Sequence, residues 1–177
     1  MAASSTQPEI TLLTNQIEQL TISQPTSQQK PRPPKKTLYW GIKLSIDQIV
    51  SYDPIKDALT LNSDLKQNKE MHTTLLFVGR KDNPDEEQYK DHVGKKCTVT
   101  IGGHGISSVA LCLHVTGMVF TETNMPVPSC QQVKQHVTVA LKEGTKAVDS
   151  VKALDEGTYV EYTQPLQLDG VLYQYFF

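Results

Sequence analysis

Met71-His72-Thr73-Thr74-Leu75-Leu76-Phe77-Val78 and Gln135-His136-Val137-Thr138-Val139-Ala140-Leu141 are the two stretches on which the reading of this chain turns. Both are rich in apolar and β-branched residues, the composition of a half-buried strand. In a strand, residues i and i+2 project from one face. His72 with Thr74, and His136 with Thr138, therefore each set an imidazole beside a hydroxyl, while Thr73 and Val137 face away. Two such strands brought together make a four-group polar cluster. Two imidazoles can divide general-base and general-acid work near neutral pH, and two hydroxyls can hydrogen-bond the non-bridging oxygens of a phosphate. The chemistry that fits is hydrolysis of a phosphodiester without a metal.

A third triplet, His114-Val115-Thr116, shows that the pattern alone is not specific. It lies only 22 positions before His136, inside a long apolar run from Val109 to Phe120, with little room for an intervening lobe. His114 is read as a solvent-side or satisfied core residue. The other two triplets agree in context, each leading directly into an apolar run, and they are 64 positions apart.

Around them the pattern mixes strands and short helices. Thr37 to Leu44 reads as a first strand, Ser45 as the N-cap of a helix to Val50, and Pro54 as the restart of a helix ending near Leu61. Pro84 to His92 and Thr145 to Leu154 read as short helices. Lys96 to Ile101 and Ser107 to Phe120 flank Gly102-Gly103-His104-Gly105, which predicts a hairpin with a glycine turn. A phosphate-cradling loop there would need a helix opening behind it. Val160 to Leu168 and Val171 to Phe177 predict a final hairpin turning at Asp169-Gly170. Helices among many strands, without regular βαβ repetition, predict α+β with antiparallel sheet.

Residues 1–36 are rich in Ser, Thr, Gln and Pro and end in Lys30-Pro31-Arg32-Pro33-Pro34-Lys35-Lys36, the composition of a disordered tail and basic linker. Ile10, Leu12, Leu13, Ile17, Leu20 and Ile22 could line one helical face that docks on a protein partner. Residues 37–177 form the folded domain, expected to be monomeric. The formal net charge of −2 argues against tight, sequence-independent binding of long nucleic acid. Cys97, Cys112 and Cys130 form no C-x-x-C, so neither a disulfide framework nor a thiolate zinc site is expected. No run approaches the ~20 apolar residues that span a bilayer, and no signal pattern or lipidation motif is seen. The expected location is cytoplasmic, away from membranes.

The two triplets resemble the defining signature of the two-histidine (2H) phosphoesterase superfamily. Tyr39-Trp40-Gly41, Gln135-His136-Val137-Thr138-Val139 and the following Thr145-Lys146-Ala147-Val148-Asp149-Ser150 are most similar to its branch of 2′,3′-cyclic-nucleotide 3′-phosphodiesterases and tRNA ligase cyclic phosphodiesterase domains. Ala140 departs from the Gly that often follows the second motif, and no kinase or ligase segment accompanies the domain.

The resemblance implies a bilobal α+β fold with two antiparallel sheets facing a central cleft. It also implies hydrolysis of the 2′,3′-cyclic phosphate of a small nucleotide or RNA 3′ end to a 2′-phosphate, with no cofactor and no metal. His136 is assigned as base and His72 as acid, Thr74 and Thr138 hold the phosphate, and Tyr39 or Trp40 stacks on the base. Three alternatives stay open: 2′-5′ oligoadenylates or cyclic oligonucleotides as substrates, a metal site, and an RNA- or protein-binding module with little catalysis. The triplets bring no carboxylate or thiolate that would complete a metal site.

Overall fold

The computed structural model describes residues 35–79, 83–129 and 134–177. The apolar face between Ile10 and Ile22, most of the basic run and Cys130 lie outside them. Strand β1 (Thr37–Leu44) shows how the chain builds its core: Trp40, Ile42 and Leu44 point inward and are buried, while Tyr39 and Lys43 point out. Ser45, in extended conformation, leads into α1 (Ile46–Val50), and Pro54 opens α2 (Asp53–Leu61). These helices sink Ile49 and Ile55 into the same core. After β2 (Leu65–Gln67) and β3 (Met71–Phe77) comes a 3-10 turn (Pro84–Glu86) and α3 (Glu87–Lys90), whose Tyr89 stacks on Trp40 with ring centroids 5.6 Å apart. The remaining elements are β4 (Lys96–Ile106), β5 (Ala110–Phe120), β6 (His136–Lys142), a 3-10 turn (Ala147–Asp149), α4 (Lys152–Asp155) and β7 (Thr158–Phe176).

The two facing sheets expected from the resemblance are not found among the described residues. The strands form one antiparallel sheet in the order β6-β3-β1-β7-β4-β5, and β5 pairs back onto β6, so the sheet closes into a six-stranded barrel. β2 adds to β6 beside β3. The fold is mostly β with a few short helices, and both triplets lie on neighbouring strands of a single sheet.

Two hairpin turns expected at glycines are also missing among the described residues. Asp169-Gly170 is no turn: β7 runs unbroken for 19 residues, pairing with β4 from Thr158 to Val171 and with β1 from Gly170 to Phe176. Gly170 is there for close approach, since a Cβ on it would stand 2.4 Å from Ile42 Cγ2. That single long stave is what joins the halves that a hairpin would have separated. Likewise Gly102 to Gly105 continue β4, and the turn falls at 107–109, where the Ser107 hydroxyl accepts from the amides of Val109 and Ala110. A Cβ on Gly105 would meet the Ala153 carbonyl at 2.4 Å, so its lack of a side chain lets α4 lie directly on the sheet.

Candidate active site

β3 and β6 run antiparallel with Thr73 opposite Val137. Both are fully buried, and Thr73 Oγ1 donates to Gln135 Oε1 at 2.9 Å. This register fixes what happens on the barrel's outer surface. Stepping one residue either way places His72 beside Thr138 and Thr74 beside His136. Each imidazole neighbours the other triplet's hydroxyl, and the two imidazoles occupy opposite corners of the quartet. A phosphate at its centre has one histidine on either side, as an in-line displacement needs.

All four residues line one cavity of about 330 Å³, within the range of small-molecule sites. Its other walls are Asn68, Glu70, Phe77, Ala147, Val148 and Val151. Asn68 ties the β2–β3 connection to β6 by donating Nδ2 to the Thr138 carbonyl at 3.0 Å. Ala147, Val148 and Val151 come from the segment behind β6, which forms a roof of apolar side chains. Phe77 and Val148 are largely exposed, at 62% and 76%, and stand at the rim.

Burial holds His72 below its ordinary 6.5; nearby Glu70 opposes this and His136 adds to it. Its Nδ1 is buried without a hydrogen-bond partner among the described residues. His136 is oriented differently: its Nδ1 lies 2.9 Å from the Lys134 carbonyl. A carbonyl only accepts, so Nδ1 carries the proton and Nε2 is the nitrogen left for chemistry. Thr138 Oγ1 is 2.7 Å from Ser150 Oγ. No Lys or Arg is among the lining residues; the nearby Lys43 is engaged with Glu70 at 3.7 Å. Among the described residues no three of His, Cys, Asp and Glu are grouped as metal ligands.

With this geometry in place, comparison with known proteins gives a fold. The fold is shared with a fungal RNA kinase. Its crystal structure is similar at a TM-score of 0.57 and 15% identity, over 96% of this chain and 54% of that one, so this chain spans about half that structure's length. At such identity the likeness is one of architecture alone. No family model and no curated protein matches the chain.

Of the expected site residues, Trp40 is not in the cavity. It is fully buried, stacked on Tyr89, and its indole donates to Glu86 Oε2 at 3.2 Å. Tyr39 does not offer a free face either: it stacks on His72 at 5.0 Å and on Tyr175 at 4.8 Å, with its hydroxyl 3.0 Å from that of Tyr173. Its ring braces His72.

Phe77 was missed because strict alternation sends it inward with Thr73. A bulge places Leu75 as an extra residue opposite Trp40 and Gly41, so Leu75 and Leu76 are both buried and Phe77 turns out. Ser150 was missed as well. The only signal for it was its place in the loop quoted with the second triplet.

Proposed function

We propose that this chain is a two-histidine phosphoesterase that opens a 2′,3′-cyclic phosphate, on a nucleotide or an RNA 3′ end, to a 2′-phosphate without a metal. The observation that carries this reading is the register of β3 and β6, which gathers both imidazoles and both hydroxyls into one cavity with the imidazoles at opposite corners. The fold shared with a fungal RNA kinase supports a role in RNA processing.

We give the two imidazoles the roles opposite to those expected from sequence, from the burial of His72 and the main-chain hydrogen bond of His136. His72, whose burial disfavours its charged form, takes the proton of the attacking water as its oxygen bonds to phosphorus. The bond from phosphorus to O3′ breaks, and protonated His136, with Nδ1 anchored on the Lys134 carbonyl, delivers a proton from Nε2 to O3′. Thr74 and Thr138 hold the non-bridging oxygens as charge builds. His72 ends protonated and His136 neutral, and exchange with solvent resets them. Tyr39, stacked on His72, keeps that ring aimed at the cavity.

The test is turnover of a nucleoside 2′,3′-cyclic phosphate in EDTA, with the product resolved as 2′- or 3′-phosphate and a 2′-5′ oligoadenylate run in parallel. Exclusive 2′-phosphate, lost in His72→Ala and His136→Ala, supports the reading; cleavage of only the oligoadenylate replaces it. The roles are separated with a cyclic phosphorothiolate carrying sulfur at the 3′ position, whose thiolate leaves without protonation. His136→Ala recovers most of its rate on that substrate and His72→Ala does not.

A further inference from the structure

The Thr138 hydroxyl is already engaged. Its Oγ1 lies 2.7 Å from Ser150 Oγ, and Ser150 Oγ donates to the Ala147 carbonyl at 2.7 Å. A hydroxyl has one proton to give. With Ser150's proton on Ala147, the proton between the two hydroxyls belongs to Thr138, which then turns only lone pairs to the cavity. Lone pairs repel a phosphate oxygen. For Thr138 to donate to an anion, both hydroxyls must rotate: Ser150 O–H from Ala147 to Thr138 Oγ1, and Thr138 O–H from Ser150 to the ligand.

The surroundings permit that rotation and little else. Ser150 is fully buried, and its own carbonyl is held by the Ala153 amide at 3.0 Å and the Cys112 thiol at 3.2 Å. The Ala147 carbonyl is not abandoned, because the Ser150 amide also donates to it at 3.1 Å. Rotation therefore leaves no buried acceptor without a donor, and the cost of an unsatisfied group is avoided.

We propose that Ser150 is a positioning residue, whose hydroxyl turns from the Ala147 carbonyl to Thr138 and so converts Thr138 from an acceptor into a donor toward phosphate. This inference rests on the phosphodiesterase reading above. No covalent bond forms or breaks. In the ligand-bound arrangement Thr138 accepts from Ser150 while donating to the anion, and the first bond polarises the second.

The test is a double-mutant cycle on turnover of a nucleoside 2′,3′-cyclic phosphate, with the melting temperature of every variant recorded. Ser150→Ala is expected to lower kcat/KM about tenfold and Thr138→Val about a hundredfold. The double variant is expected to match Thr138→Val, because Ser150 acts only through that hydroxyl. A double variant slower by the full product of the two effects overturns the proposal, as does Ser150→Ala with an unchanged or raised rate. Should Ser150→Ala fail to fold, Ser150→Cys, of similar size and a weak donor, takes its place in the same cycle. A wild-type protein without turnover overturns the phosphodiesterase reading and this inference together; wild-type turnover without coupling overturns this inference alone.

Discussion

Two pairs of strands carry histidines, and the two pairs treat them differently. On β4 and β5, His104 and His114 each share a hydrogen bond from Nδ1 to a tyrosine hydroxyl, Tyr162 at 2.9 Å and Tyr159 at 3.0 Å. On β3 and β6, His136 has only a main-chain carbonyl and His72 has no Nδ1 partner among the described residues. The contrast is sharpest between His114 and His136, which sit directly opposite each other across β5 and β6 and so share a face.

His114-Val115-Thr116 has the same pattern as the other two triplets, yet its groups are occupied from within. Tyr159 takes the imidazole, and Thr116 Oγ1 donates to the Thr100 carbonyl at 3.3 Å. The triplets on β3 and β6 differ in that both histidines and both outward threonines line a common cavity.

The largest expected effects break that comparison at its centre. His72→Ala and His136→Ala should each lower kcat/KM by on the order of 10³-fold, the scale of a lost general acid or base, while His114→Ala keeps its turnover. A His114 variant as inactive as the other two would sink the distinction.

Next in size is the difference between neighbouring aromatics. Trp40→Ala should cost roughly 3–5 kcal/mol of stability by opening a cavity in the core, measured by denaturant unfolding. Tyr39→Leu should leave the fold nearly intact and lower kcat about tenfold by loosening His72, with Tyr39→Phe close to wild type.

On the covered side, Gly105→Ala should destabilise by roughly 1–3 kcal/mol, because a methyl must displace the Ala153 backbone. Thermal unfolding of this variant shows whether α4 is pressed on the sheet as tightly as the structure has it.

The smallest effect is on pH. Burial holds His72, His104 and His114 below their ordinary 6.5 in the folded chain, so as pH falls the unfolded chain binds protons first. Their contribution to stability is complete above pH 6.5 and is lost progressively below it. Replacing His104 with Asn should flatten the stability curve between pH 6.5 and 5, whereas an unchanged slope would mean that His104 titrates as it does in the unfolded chain.

Much of this was legible from local pattern. The strands at 37–44 and 71–77, the paired short helices before Leu61 and the inward turn of Thr73 and Val137 follow from alternation and proline placement, although the Ser45 side chain makes no capping hydrogen bond. What escaped was anything decided by register or by close approach. Glycine signals a left-handed turn and a tight backbone contact with the same letter, and at Gly105 and Gly170 the second meaning held, turning an expected pair of sheets into one barrel. Tyr39 was read as a base-stacking candidate, yet its ring is covered by neighbours distant in sequence, and Phe77 was missed because it is flipped by a bulge that only pairing reveals. His114 opposite His136 is likewise a fact of register, invisible until β5 and β6 are laid side by side.

The long strand β7 has a kinetic consequence. Because it stands between β4 and β1, the first strand of the unit is completed by the last, and pairs such as Ile42 with Leu172 join residues 130 positions apart. Contacts of that separation form only after a large loss of chain entropy, and topologies dominated by them fold in milliseconds to seconds rather than microseconds. β3 and β6 meet at Thr73 and Val137, 64 positions apart, so their spacing also rests on a non-local pairing. The arrangement of His72 and His136 depends on long-range pairing, so recovery of the proposed activity after dilution from denaturant is expected to lag behind recovery of secondary structure.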